Sequence, residues 1–304
     1  MKVALLSGGG GGARFAHGLH DTLEPGELTI VGNVGDDLEI LGLHVSPHLD
    51  SLLYTLAGLI DEERGWGRAD ETWNALESAG SWGGESWFRL GDLDVGLHLV
   101  RTRALREGVL LSEITGQLCG RVGLQSRILP ATDDSLRTKV VTRAGIFPFQ
   151  DWYVGRGHRD DVDAVEYDGA DEANPAPGVL DALEAADAIL LAPSNPYLSI
   201  GPILAVRSIR QAIERRRVRC VAVSPLVGGA AVTGPAGRML SRMAGGATPG
   251  HVTDCYLGLI DALVIDEADA PAEASVELVV TQTLMGDRES ARRLAEVVLE
   301  AACG

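Results

Sequence analysis

The sequence predicts an α/β fold: a mainly parallel sheet with helices on both faces and a helical insertion or cap. Three observations carry this. Short apolar runs recur along the chain, such as VALL, LTIV and AILL, each of a length that suits a buried strand. Each run is closed by a turn rich in Gly or Pro. Segments with helical spacing of apolar residues separate the runs, and that alternation of strand and helix is the pattern of a parallel sheet.

In chain order, Val3 to Leu6 reads as a buried strand and Ala13 to Thr22 as the helix that follows. Leu28 to Val31 is a second strand. Between about 51 and 113 the pattern changes: LDSLLYTLAGLI and LHLVRTRALREG carry apolar residues at helical spacing, so this stretch is read as the insertion within a single domain spanning 1–304. The acidic, turn-rich stretch RGHRDDVDAVEYDGADEANPAPG reads as surface structure around one short strand, Ala164 to Tyr167. Ala188 to Leu191, Cys220 to Val223 and Ala262 to Ile265 are further strands, with a helix over roughly Pro202 to Arg215. An amphipathic helix from about Asp287 to Ala302 closes the chain.

Composition excludes several classes of function. Of 304 residues, 43 are acidic and 26 basic, a formal net charge of -17. Binding along a phosphate backbone needs the opposite balance, because its affinity comes from Lys and Arg displacing counterions. No nucleic-acid partner is expected, whereas a small anionic substrate is compatible with a few placed donors and a divalent cation. Cys119, Cys220, Cys255 and Cys303 are far apart with no CxxC pair, so neither a disulfide framework nor a zinc site is expected. The opening MKVALLSGGG is too short an apolar run for a signal peptide, and no stretch is long enough to span a membrane. A cytoplasmic protein is expected.

The chemistry lies in the turns. Gly8, Gly9, Gly10, Gly11 and Gly12 follow the first strand and enter a helix, where the missing Cβ atoms and the helix dipole suit a phosphate. The run fits a dinucleotide fingerprint only because nearly every position is Gly, and without GK[ST] it is no Walker loop. After the second strand, Asn33, Asp36 and Asp37 form NVGDD. Two adjacent carboxylates there suit a hydrated Mg2+ bridging phosphate oxygens, and equally an acidic turn with an N-capping Asp. Asp50 or Ser51 introduces the next helix and serves as its N-cap or as a site residue. Pro47 argues against His44 and His48 as a helical zinc pair. Asp92 and Asp94 precede a helix bearing His98 and Arg101, and Thr132, Asp133 and Asp134 make another polar turn. Ser194 and Asn195 stand where a buried strand meets the next helix, in a loop stiffened by Pro196 and Pro202.

Taken together, GGGGGARFAHGL, NVGDD, GLHVSPHLD, GWG, WFRLGDLD, ILPATDD, FQDWYVG, APSNPYLSIGPIL, AVSPLVGG, TGPAG and IDEAD resemble the 2-phospho-L-lactate transferase family of coenzyme F-420 biosynthesis, from residue 3 to about 269. The resemblance implies a Rossmann-like core, a helical cap and a homodimer. It implies two substrates, the deazaflavin alcohol Fo and a guanosine diphosphate whose terminal phosphate carries enolpyruvate, lactate or a related acid. The ribityl hydroxyl of Fo attacks that phosphorus and GMP leaves, with Mg2+ as cofactor.

Carried onto this chain, Gly8 to Gly12 approach the donor phosphates and Ser194 and Asn195 contact the nucleotide. Asp36, Asp37 and Asp50 bind metal or assist the hydroxyl. Asn33, His48, Asp92, Thr132, Asp133 and Asp134 lie in substrate-binding motifs without individual roles. The family commonly has PDLD where this chain has Pro47-His48-Leu49-Asp50, so His48 replaces a carboxylate. Ala131 stands where the family's polar turn begins with Met. Two rival classes are weaker. A related nucleotide-sugar-binding regulator is expected to lack the PSNP and WFRLGD segments. An NAD-dependent oxidoreductase needs an acidic residue where Gly32-Asn33 ends the second strand.

Overall fold

Continuous apolar runs form strands that are buried on both faces. The computed structural model describes residues 1–304. Seven strands make the central sheet: β1 (Val3–Ser7), β2 (Leu28–Gly32), β3 (Arg127–Pro130), β4 (Ala188–Leu191), β5 (Cys220–Val223), β6 (Ala262–Asp266) and β7 (Glu277–Thr281). Their spatial order is β7-β6-β5-β4-β1-β2-β3, and every neighbouring pair is parallel. This is the Rossmann order with one strand added beside β6. The chain reverses its direction of travel between β1 and β4, where doubly wound sheets open their binding crevice.

The two-residue period of the strands divides the core. Leu5, Ile30, Leu190, Val221 and Val264 face one layer, made by α1 (Gly9–Thr22), α2 (Pro47–Leu56) and the closing helix Arg288–Cys303. Leu6, Val31, Ile189, Ala222 and Leu263 face the other, against Ile203, Ile209, Leu240 and Val252. Each fully buried aliphatic side chain contributes about 1.5–3 kcal/mol, so these two layers hold the sheet rigid beneath its loops.

Between β2 and β3 lie a hairpin (Leu38–Ile40 with Leu43–Val45), α2, α3 (Asn74–Ser81), α4 (Asp92–Arg106) and α5 (Leu111–Arg121). The helical stretch thus begins earlier than 51 and ends later than 113, because α5 is the crossover helix feeding β3. β3 and β7 were not among the expected strands. The expected strand Ala164 to Tyr167 is the middle of Val162–Asp168, which pairs antiparallel with Arg137–Thr142, itself paired to Gly145–Pro148. The expected helix from Pro202 to Arg215 is broken: Gly201–Ala205 and Arg207–Glu214 are separated by Val206 with extended ψ, and a π turn, Pro196–Ile200, comes before them.

The closing helix starts at a capping box, in which Asp287 Oδ1 accepts the Ser290 N–H at 2.8 Å. It packs on α1 at Gly18, where a Cβ would lie 2.2 Å from the Ala291 carbonyl oxygen. Arg288 also reaches Asp21 on α1 with two hydrogen bonds, at 2.5 and 2.6 Å.

Candidate active site

Every main-sheet strand points its carboxyl end at one edge, so the turns after β1, β2, β3 and β4 gather there. The glycine run forms the first turn of α1, which starts at Gly9 and not at Ala13. Several of these glycines make room for protein. A Cβ on Gly12 would lie 2.5 Å from Ser7 Oγ and 2.8 Å from Ser194 Oγ, and one on Gly11 would lie 3.0 Å from the Pro193 carbonyl oxygen. A Cβ on Gly8 would lie 3.0 Å from Ser199 Cβ. The turns after β1 and β4 are therefore pressed together, and Ser194 Oγ donates to the Gly8 carbonyl at 2.7 Å.

The NVGDD turn is held from inside. Asn33 Oδ1 accepts the Gly35 N–H at 2.7 Å, and its Nδ2 donates to the Leu198 carbonyl and to Asp36 Oδ2. Gly35 is required at its position, since a Cβ would lie 2.5 Å from Thr138 Oγ1. Gln150, from FQDWYVG, donates to the Asp36 carbonyl at 3.2 Å. The two carboxylates that result are buried, 2% exposed for Asp36 and 4% for Asp37.

His48 joins the two turns. Its Nδ1 accepts the Gly9 N–H at 2.7 Å, and its Nε2 lies 2.6 Å from Asp36 Oδ2. Burial pushes the imidazolium pKa down, but the hydrogen bond and charge of Asp36, with the charge of Asp37, outweigh burial and raise it above 6.5. Protonating Nδ1 would cost the Gly9 bond. In the neutral ring the proton therefore sits on Nε2 and is donated to Asp36. His48 takes the Gly9 N–H, leaving the amides of Gly10 to Gly12 as the open donors of this helix start.

Asp37 Oδ2 accepts Ser46 Oγ–H at 2.8 Å and lies 3.1 Å from His44 Nε2. What remains is one oxygen on each carboxylate: Asp36 Oδ1 and Asp37 Oδ1 are buried with no hydrogen-bond partner. A buried carboxylate oxygen left bare is costly. Hard oxygen donors of this kind suit Mg2+, which is bound through one or two carboxylates plus substrate phosphates. The structure has no cluster of three or more His, Cys, Asp or Glu side chains with metal-ligand geometry.

A family model described as 2-phospho-L-lactate transferase CofD matches residues 3–301. The chain belongs to that family. Among relatives, the phosphoenolpyruvate transferase of Kitasatospora aureofaciens is 43% identical over 98% of this chain and 97% of its own. That of Thermobifida fusca is 41% identical over 99% and 98%. A crystal structure of a UPF0052-family protein from Bacillus halodurans superposes with a TM-score of 0.65 at 17% identity, covering 98% of each chain, and shows the shared fold. This chain is accordingly a transferase, and none of its helices is long and apolar enough to cross a membrane.

Several expected ligand contacts of this transferase are committed to the protein itself. The Asp50 carboxylate receives both terminal nitrogens of the buried Arg101, the Nη1 bond to Oδ2 measuring 3.0 Å. Asp133 accepts the backbone N–H and hydroxyl of Ser112 and pins the start of α5. Asp134 accepts from Asn174, and Thr132 Oγ1 accepts the Asp134 N–H. Asp92 accepts from Thr72, Asn74 and Ala75 and so caps α3. Asn195 Oδ1 accepts the N–H groups of Tyr197 and Leu198 and caps the π turn.

The transferase also has a polar core inside its cap that the sequence did not single out as a unit. Tyr54, Asp94, His98 and Arg101 are all buried around Asp50. Burial lifts the Asp94 carboxyl from 3.8 to about 6. Burial also drops His98 from 6.5 to about 4, and its Nδ1 faces Arg101 Nη1 at 3.3 Å. Tyr54 is raised by burial and by the charges of Asp50 and Asp94. The helical spacing of Asp94, His98 and Arg101 on α4 was the signal in the sequence. Its completion by Asp50 and Tyr54 on α2 needs the fold.

Proposed function

We propose that this transferase moves a phospho-carboxylic acid from its guanosine diphosphate donor to the terminal ribityl hydroxyl of Fo. GMP is released and the (dehydro) coenzyme F-420-0 product forms. The observation that carries the reading is the pair of bare, buried oxygens on Asp36 and Asp37 beside the glycine turn at the switch point of the sheet. The names of the relatives, phosphoenolpyruvate transferases, favour enolpyruvate as the acid.

In this reading the Gly10 to Gly12 amides and the positive end of α1 receive the donor phosphates. His48 keeps that turn fixed against Asp36, so donor and carboxylates move as one body. Asp36 and Asp37 would hold Mg2+, which when bound neutralises phosphate charge. The Fo hydroxyl oxygen forms a bond to the terminal phosphorus, the bond from that phosphorus to the bridging oxygen breaks, and GMP departs with the electron pair. The hydroxyl proton passes toward the carboxylate pair. Positioning and charge neutralisation supply the acceleration, with no covalent enzyme intermediate. A homodimer belongs to the same proposal and is checked by light scattering.

The test is a competition assay with Fo, Mg2+ and equal enolpyruvyl and lactyl guanosine diphosphates, products resolved by mass. One acid on Fo, lost on omitting Mg2+, is expected. No product from either donor, with Fo unbound, would overturn the reading. Binding of a nucleotide sugar in its place would favour the regulatory alternative.

A further inference from the structure

The GWG segment of the cap, Gly65-Trp66-Gly67, has no role in the site as described, yet it bends over the glycine turn. Gly65 and Gly67 have φ of +72° and +69°, left-handed values that favour glycine. A Cβ on Gly10 would lie 3.8 Å from the Gly65 carbonyl oxygen, so the bend stands directly above the turn. A Cβ on Gly65 would lie only 3.3 Å from Arg14 Nη2. The bare backbone at Gly65 thus leaves space that the Arg14 guanidinium uses.

Arg14 lies on α1, and side chains on a helix lean toward its N-terminus, here toward the glycine turn. It is exposed, and no acidic side chain pairs with it. The neighbouring Arg64 is tied to Asp61 at 2.9 Å and stacks over Trp66 and Trp73, so it supports the bend and is not free to bind. An unpaired guanidinium held between a phosphate turn and a rigid bend offers a planar fork to a carboxylate.

We propose that Arg14 reads the carboxylate of the transferred acid, under the roof made by Gly65-Trp66-Gly67. This rests on the donor assigned above. The roof and Arg14 would distinguish a donor carrying an acid from plain guanosine diphosphate, which the glycine turn alone binds.

The experiment compares wild type, Arg14→Gln and Arg14→Lys in steady state with Fo, Mg2+ and the enolpyruvyl donor, together with inhibition by GDP. Arg14→Gln is expected to raise the donor KM ~10- to 100-fold, as loss of a charge-assisted bidentate contact does. GDP inhibition and the thermal midpoint stay at wild-type values, and Arg14→Lys falls between. An unchanged donor KM overturns the assignment. Equal weakening of donor and GDP overturns it too, by placing Arg14 on the diphosphate. A wild-type protein that turns over no donor brings down the transfer reaction itself and this inference with it; an active wild type with an indifferent Arg14→Gln brings down the inference alone.

Discussion

Asp94 and His98 lie one helical turn apart on α4, and burial shifts their pKa values in opposite directions. Asp94 rises from 3.8 to about 6 and His98 falls from 6.5 to about 4. The folded state therefore favours protonated Asp94, whose contribution to stability is lost as pH climbs through this window. The folded state disfavours charged His98, so that residue costs stability as pH falls through nearly the same window. Integrating each shift from pH 4.5 to 7.5 gives about 2 kcal/mol for Asp94 and about 2.5 kcal/mol for His98, with opposite sign. The wild-type pair nearly cancels. Asp94→Asn removes one arm: its stability relative to wild type should grow by about 2 kcal/mol between pH 4.5 and 7.5. His98→Gln removes the other, and its stability relative to wild type should shrink by about as much over the same span. The assay is urea unfolding of the three proteins at half-unit pH steps, read as differences so that other carboxylates drop out. Parallel curves, with each variant offset from wild type by a constant amount, would refute the reasoning.

Three further outcomes are expected. Asp36→Asn and Asp37→Asn should each abolish measurable transfer while keeping or raising the thermal midpoint, since each removes a buried charge whose second oxygen has no partner; mass detection of product and a melting curve check both. Arg101→Met should cost about 3–5 kcal/mol by stranding the Asp50 carboxylate, and adding Asp50→Asn should recover most of that loss in denaturant titration. Gly18→Ala should lower stability by about 1–3 kcal/mol, because its methyl group meets the Ala291 carbonyl; a melting midpoint equal to wild type would contradict the packing described.

Legibility in the sequence followed burial. β1, β2, β4, β5 and β6 are enclosed on both faces, so their runs are almost wholly apolar and stand out. β7 is an edge strand with residues such as Glu277 and Val280 exposed, and β3 opens with the exposed Arg127 and ends in Pro130, so their apolar runs, Leu278 to Val280 and Ile128 to Leu129, are shorter than those of the enclosed strands. The broken helix after β4 reflects a π turn that residue types do not announce. At the site, NVGDD was readable because no core strand needs two adjacent carboxylates. Asp92, Asp133, Asp134 and Asn195 were harder to place. The short side chains that suit a ligand are also the best helix caps and turn braces, and only the bonds each makes separate the two uses. Asp50 illustrates the limit: its partner Arg101 is 51 positions away, and nothing local marks the pair.

The seat of α1 on the closing helix has a consequence for synthesis. The glycine turn leaves the ribosome well before the surface that backs its helix, because Gly18 and Asp21 are met by Ala291 and Arg288, the latter 267 positions beyond Asp21. A nascent chain halted after β7 would carry the glycine turn on a helix with one flank open to water. The helix that begins at the glycine turn is thereby fully backed only after the helix Arg288–Cys303 has been made.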